Sequence, residues 1–237
     1  MNREILDKGA LELGIALSGE KKKKFEIYSS LLKEWNEKMN LTAITDDDGI
    51  SIKHFLDSLS PLSFLDIKKN AKVADIGTGA GFPGLPLKIA REDLDLTLVD
   101  SLNKRINFLN EVIRETNLEK IKTVHARAED LGRDRAYREK FDYVFSRAVA
   151  PLKILAEYDI PFLKVGGFFA ALKSENIEEE ITDAKAMIGS LGGKIEEIRK
   201  IKIPFSDITR NIIIIKKEKN TPDAFPRTAK KIKEGKK

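Results

Sequence analysis

Val73-Ala-Asp-Ile-Gly-Thr-Gly-Ala-Gly-Phe-Pro-Gly84 runs a short apolar strand straight into a turn that holds Gly77, Gly79, Gly81 and Gly84. Glycine reaches positive φ and carries no side chain, so a loop of this kind can fold under a nucleotide-like ligand at the carboxyl edge of a parallel sheet. The stretch predicts a strand, a ligand-cradling loop and a helix, in that order.

Working outward from this stretch, the chain alternates strand and helix. Strands are predicted at about 72–77, 95–100, 121–126, 141–146, 167–173, 194–203 and 210–217, with helices beginning near Gly84, Asn103, Pro151 and Glu175. Apolar strands separated by helices imply a parallel, doubly wound sheet covered on both faces. No helix fits between Ile203 and Arg210, so the last two strands are expected to form an antiparallel hairpin at the sheet edge. Seven strands ending in such a hairpin match the class I methyltransferase plan, an α/β fold with a mostly parallel sheet.

Before Asn70 the pattern is helical. Phe25, Tyr28, Leu31, Leu32 and Trp35 recur at the spacing of one apolar helix face. The expected partner is a helix from about Ile50 to Phe64, striped by Ile52, Phe55, Leu56 and Leu59, with Asn40 to Asp46 supplying turn and cap residues. The chain is thus divided into a helical cap (1–69), a core (70–219) and a basic tail (220–237).

The 237 residues are 41% hydrophobic and 34% charged, enough for one sizeable core. The longest apolar runs, Phe168–Leu172 and Ile212–Ile215, fall far short of the ~20 residues that cross a bilayer. No signal-like segment follows Met1, and a cytoplasmic protein with no membrane partner is expected. Zero cysteines exclude disulfides, thiolate metal sites and cysteine nucleophiles, and His54 and His125 stand far apart, so no metal is expected. The net charge of +5 is concentrated at the end, where the chain from Lys216 carries nine basic and three acidic residues. Such a tail suits a polyanion held by phosphate contacts, or merely a solubilising terminus. The run Lys21 to Lys24 reads as a solvated helix face.

Gly79-x-Gly81-x-x-Gly84, with Asp100 closing the next strand, also satisfies the dinucleotide fingerprint. A pyrophosphate needs backbone N–H groups at the helix start, and Pro83 and Pro86 remove two. Asp75, two residues before the first glycine, suits an ammonium or sulfonium better than a phosphate. Asp75-x-Gly77-x-Gly79-x-Gly81 looks like the S-adenosylmethionine loop of class I methyltransferases. Asp100 can accept both ribose hydroxyls or cap the helix from Asn103, a task open to Ser101 as well. His125-Ala-Arg-Ala-Glu-Asp130 places the Ala128 N–H and Glu129 near an adenine edge, or else Glu129 is a surface carboxylate, and Phe82 either covers the ligand or packs in the core.

The fourth strand ends in Phe145-Ser-Arg-Ala-Val-Ala-Pro151, with neither the Asn/Asp-Pro-Pro-aromatic turn of amine methylation nor the cysteine of pyrimidine C5 methylation. Arg147 offers a bidentate fork for a base, a phosphate or a cofactor carboxylate, or else an internal ion pair with a carboxylate such as Asp75.

Glu34-Trp-Asn-Glu-Lys-Met-Asn-Leu-Thr42, Lys53-His-Phe-Leu-Asp-Ser58, the glycine loop, Val99-Asp-Ser-Leu-Asn-Lys-Arg105 and Ser146-Arg-Ala148 together closely resemble the bacterial small-subunit ribosomal RNA methyltransferase G family, also called glucose-inhibited division protein B. The resemblance covers roughly residues 20 to 230. It implies methylation of guanine N7 in the 16S rRNA of the small ribosomal subunit, with S-adenosylmethionine as donor. A monomer is expected. It puts Gly77, Phe82, Asp100, Ser101, Leu102, Ala128, Glu129 and Arg147 at cofactor-binding positions. Arg147 and Lys173 are the expected catalytic positioning groups, and Asn40, Lys53, His54 and Asp57 either line an RNA entrance or fasten the cap. Lys173-Ser174 and Pro226-Arg-Thr-Ala-Lys-Lys depart from the family's usual Lys-Gly and Pro-Arg-x-x-Gly-x-Pro. Two rivals remain, an oxidoreductase using a nicotinamide dinucleotide and a non-catalytic RNA-binding protein.

Overall fold

The computed structural model describes residues 1–148, 150–174 and 177–235, apart from the side chain of Lys233. Two helices lead the chain, α1 (Arg3–Glu12) and α2 (Gly19–Met39). A continuous helical segment follows over 47–63: α3 (Asp47–Gly49), a π-helical stretch (Ile50–Leu56), α4 (Asp57–Leu59) and a 3₁₀ turn (Ser60–Ser63). The alternating part comprises β1 (Lys72–Ile76), α5 (Gly84–Ala90), β2 (Asp95–Asp100), α6 (Asn103–Glu115), β3 (Ile121–His125), α7 (Ala128–Leu131), β4 (Phe141–Arg147), α8 (Leu152–Asp159) and β5 (Leu163–Lys173). It closes with α9 (Glu178–Ser190), β6 (Gly193–Lys202), β7 (Thr209–Lys217) and α10 (Ala229–Lys233). The predicted helix start near Glu175 and the last two tail residues lie outside the described residues, and α9 begins at Glu178.

The seven strands run in the order β3-β2-β1-β4-β5-β7-β6. β1 pairs in parallel with β2 and β4, whereas β7 is antiparallel to both β5 and β6. The order reverses between β1 and β4, which opens a crevice at their carboxyl ends. Register places Asp100 beside His125, Arg147 beside Leu172 and Lys173 beside Asn211, so the start of β7 reaches the same edge.

Strand alternation splits the core in two. Val73, Ile212 and Ile214 join a cluster under the N-terminal helices, while Ala74, Ile76, Ile213 and Ile215 join the cluster under α8 and α9. This period of two is why both faces bury apolar side chains. β5 starts four residues before its predicted position, because Phe141 pairs with Leu163 and Tyr143 with Phe168, leaving a bulge that contains Gly166 at φ 85°. The sequence Val165-Gly-Gly167 reads locally as a break, and the sheet absorbs it as a bulge.

α2 starts on a Ser18 cap and ends at Asn40 in the left-handed region. Its face packs as the spacing predicts, with Phe25 and Tyr28 against Phe55 at ring-centroid distances of 4.9 and 5.4 Å. The second helical segment differs from its expected form. The wider π turn, a geometry often found at functional sites, buries His54, Phe55, Leu56 and Asp57 in succession instead of along one stripe. Of Lys21 to Lys24 only Lys23 is exposed as a solvated face would have it: Lys21 donates to the Ala90 carbonyl at 2.7 Å, Lys22 pairs with Asp7 at 2.7 Å and Lys24 with Glu92 at 2.9 Å. The tail also folds back. The Arg138 guanidinium collects the carbonyls of Thr221 and Phe225, and Arg227 grips the buried Glu157 at 2.7–3.1 Å. Lys217 is wholly buried against Glu139 and the Ile160 carbonyl, so part of the tail's positive charge is used internally.

Candidate active site

The glycine loop is held from three sides. Gly77 and Thr78 donate to the Val99 carbonyl, Gly79 N–H donates to Asp100 Oδ2 at 2.9 Å, and the buried Tyr28 hydroxyl donates to the Ala80 carbonyl. Gly79 has φ 62° and faces open space, whereas a Cβ on Gly84 would lie 2.5 Å from Leu98 Cδ2 and 2.7 Å from Asp75 Oδ2. The first glycine supplies a conformation and the second a close approach of helix to strand.

Asp75 is placed differently from the sequence expectation. It lies beneath the loop, fully buried, where Oδ2 accepts from Thr78 Oγ1 at 2.6 Å and Gly84 N at 2.8 Å. Burial pushes its carboxyl up to about 6, against the lowering effect of those two donors. It ties the loop to β1 and does not line the cleft. Gly81 also turns inward, its missing side chain directed at Leu85 and the Tyr28 hydroxyl.

Over the loop opens a cleft of about 500 Å³, within the range of small-molecule sites. Gly77, Gly79, Phe82, Asp100, Ser101, Ala128, Glu129 and Arg147 line it, joined by Leu41, Thr42, His54, Arg105 and Tyr158. Asp100 caps no helix: Oδ1 accepts from Leu102 N at 2.9 Å, Oδ2 from Gly79 N and Arg105, and α6 has Leu102 at its N-cap position with no side-chain cap. Ser101 therefore does not cap it either, and Leu102 lies outside the cleft lining with its side chain exposed. The two carboxylates, the apolar ring of Phe82 and the open backbone at Gly79 form an acceptor-rich wall suited to the hydroxyl and amino donors of a nucleoside. A pyrophosphate finds no free donor at α5. Gly84 N is spent on Asp75, Leu85 N on the Gly81 carbonyl and Leu87 N on the Pro83 carbonyl, while Pro86 has none. The residues fit S-adenosylmethionine and not a dinucleotide.

Comparison with known proteins agrees. The family model described as rRNA small subunit methyltransferase G matches residues 21–213. The chain belongs to the rRNA small subunit methyltransferase G family. It is 50% identical to Ribosomal RNA small subunit methyltransferase G of Clostridium perfringens (strain 13 / Type A), over 95% of each chain. It is 52% identical to the protein of that name from Thermoanaerobacter pseudethanolicus, over 97% of this chain and 95% of the relative. Among solved structures, TYW2 of M. jannaschii in complex with AdoMet superposes with a TM-score of 0.53 at 20% identity, covering 73% of this chain and 77% of that one, which shows the shared fold. As a methyltransferase G family member the protein is an S-adenosylmethionine-dependent methyltransferase.

In this methyltransferase, Phe82 is the hub of the cleft wall. His54 stacks on its ring at 4.5 Å and 14°, Tyr28 at 5.5 Å, and the Arg147 guanidinium carbon sits 4.9 Å from the ring centroid. Phe82 thus both covers the cleft and packs in the core. Burial, aided by Arg147, lowers the His54 pKa to about 3, so the ring is neutral near pH 7. Arg147 can only donate, so His54 Nδ1, 3.4 Å from Arg147 NH2, is the acceptor nitrogen. Nε2 then carries the proton and donates to Thr42 Oγ1 at 2.8 Å.

Arg147 pairs with Asp57 at 2.8 Å, not with Asp75. Lys173 stands outside the main cleft, bound to Glu180 at 2.6 Å and the Ala150 carbonyl at 3.0 Å. It lines an adjoining pocket of about 330 Å³ with Lys53, Asp57, Ser174 and Arg210, and the two spaces share His54, Arg147 and Ala148. Asn40 lines neither. Sequence reasoning missed Thr42, Arg105, Tyr158 and Arg210. Arg105 was legible in principle, since the residue five positions after Asp100 lies on the first turn of α6. Arg210 was not, because only the antiparallel pairing of β7 brings it to this edge.

Proposed function

We propose that this enzyme methylates N7 of a guanine in the 16S rRNA of the small ribosomal subunit, acting as a monomer in the cytoplasm. One observation carries the choice of N7: among the described residues around the junction of the two pockets, no side chain stands ready as a base. Both ring nitrogens of His54 are engaged, Lys173 is tied to Glu180, and each oxygen of Asp57 is paired with an arginine. An exocyclic amine must lose a proton on methylation and would need a base. Guanine N7 carries its lone pair in the neutral base and loses none.

Bound S-adenosylmethionine supplies an electrophilic methyl group on a sulfonium. The N7 lone pair forms the new N–C bond while the C–S electron pair returns to sulfur, so no proton moves and one positive charge passes to the purine. The residues of this chain position the reactants and exclude water. Asp100 and Glu129 hold the nucleoside end, Phe82 and His54 wall the middle, and Arg147 marks the opening to the acceptor pocket. Exposed Lys53 beside that pocket and Lys230 and Lys231 in the tail supply cations for RNA phosphates. Lys194, Lys200 and Lys202 along the exposed edge strand β6 discourage edge pairing, which supports a monomer.

The test is a nucleoside analysis. Small-subunit RNA from a strain lacking this gene is incubated with enzyme and methyl-labelled S-adenosylmethionine, digested and separated. Label in 7-methylguanosine is expected. Label in another nucleoside would keep the methyltransferase and overturn the N7 assignment.

A further inference from the structure

The Asp57 carboxylate is 2% exposed and is shared between two arginines from distant strands. Oδ2 accepts from Arg147 NH1 of β4 at 2.8 Å, and Oδ1 accepts from Arg210 Nε of β7 at 2.9 Å. The Lys53 carbonyl takes a further bond from Arg147 NH1 at 3.0 Å, and the Phe82 ring lies under the guanidinium. Arg147 is therefore fixed in plane and azimuth on the wall that separates the cofactor cleft from the acceptor pocket.

This placement poses an electrostatic problem. The reaction brings in a sulfonium and leaves a cationic purine, so the site holds one mobile positive charge throughout. Two guanidinium groups that line these pockets would oppose it if unbalanced. With neutral His54 and with Lys173 matched by Glu180, Asp57 is the one carboxylate among the described residues of the junction that is bonded to Arg147 and Arg210.

We propose that Asp57 is a positioning residue that locks Arg147 at the junction and offsets its charge together with that of Arg210, so that the enzyme tolerates a cation there. The proposal rests on the cofactor assignment and the methyl-transfer reading above. It predicts that the site's preference between charged and neutral forms of the cofactor depends on Asp57, whereas a merely structural contact would affect both forms alike.

The experiment measures Kd for S-adenosylmethionine, which is a sulfonium, and for S-adenosylhomocysteine, its neutral thioether, by titration calorimetry. Wild type, Asp57→Asn and Arg210→Gln are compared, with circular dichroism to establish folding. In Asp57→Asn the ratio of the sulfonium's Kd to the thioether's is expected to rise at least about threefold. In Arg210→Gln, which removes a cation and leaves Asp57 on Arg147, the ratio is expected to fall. An unmoved ratio in both variants, with the two ligands weakened equally, overturns the proposal. Should Asp57→Asn fail to fold, Arg210→Gln decides alone, and an unmoved ratio there has the same meaning. A wild-type protein that binds neither ligand overturns the cofactor assignment itself, and the proposal falls with it.

Discussion

Single residues in this site do separable jobs, and the two glycines of the loop show how to tell them apart. Gly84→Ala drives a Cβ into Leu98 and Asp75, so urea unfolding should show a loss of about 1–3 kcal/mol. Gly79→Ala meets nothing closer than 4.0 Å and bears only the left-handed backbone cost of about 1–2 kcal/mol. Cofactor binding should nonetheless suffer more at Gly79, which lines the cleft. His54 gives a pH prediction with a definite sign. Its pKa falls from 6.5 in the unfolded chain to about 3 in the fold, so between these values the unfolded chain binds more protons and His54 lowers stability as pH drops. From pH 7 to pH 5 this amounts to at most about 2 kcal/mol. Asp75, raised from 3.8 to about 6, acts in the opposite direction within its own window, so the comparison must be with a variant. His54→Gln should lose less stability than wild type over that pH step, and an identical loss would contradict the burial argument.

At the scale of elements, α2 and the glycine loop form one unit. Tyr28 stacks on Phe82 and caps the Ala80 carbonyl, so a helix outside the sheet holds the loop in its ligand-ready shape. Tyr28→Phe keeps the ring and strands that carbonyl, for which we expect a loss of about 1–3 kcal/mol and a raised KM for the cofactor. The elements legible in the sequence were those with a local cause. β2 spans Asp95–Asp100 as its pattern predicts, α5 begins at Gly84 and α6 at Asn103. The π turn over Ile50–Leu56 was not legible, because a stripe of Ile52, Phe55, Leu56 and Leu59 fits an ordinary helix equally well. What selects the wider turn is tertiary: Phe55 must meet α2 while His54 and Asp57 meet Phe82 and Arg147. The Asp75 assignment failed for a similar reason. A carboxylate before a glycine loop reads as a ligand, and only the fold reveals that Thr78 and Gly84 have claimed it.

At the scale of the molecule, the sheet edge collects groups from the whole length of the chain, from Thr42 to Arg210, and the tail locks the far side. Arg227→Gln would leave the buried Glu157 without its ion partner, and thermal unfolding should register a loss of about 3–5 kcal/mol. Lys230 and Lys231 are exposed, so replacing both with Gln should leave stability unchanged and weaken RNA binding, with a shallower salt dependence. Composition revealed the tail's charge but not this division, since burial of Lys217 and Arg227 depends on acidic partners at positions 139 and 157.

The central claim is that this fold transfers a methyl group from S-adenosylmethionine to N7 of one guanine in small-subunit rRNA. The most direct measurement treats small subunits from a strain lacking this gene with purified enzyme and S-adenosylmethionine, then cleaves the RNA chemically at 7-methylguanosine and maps the breaks by primer extension. A single enzyme-dependent break is predicted. Methyl incorporation without any break, or breaks scattered over many guanines, would contradict the account.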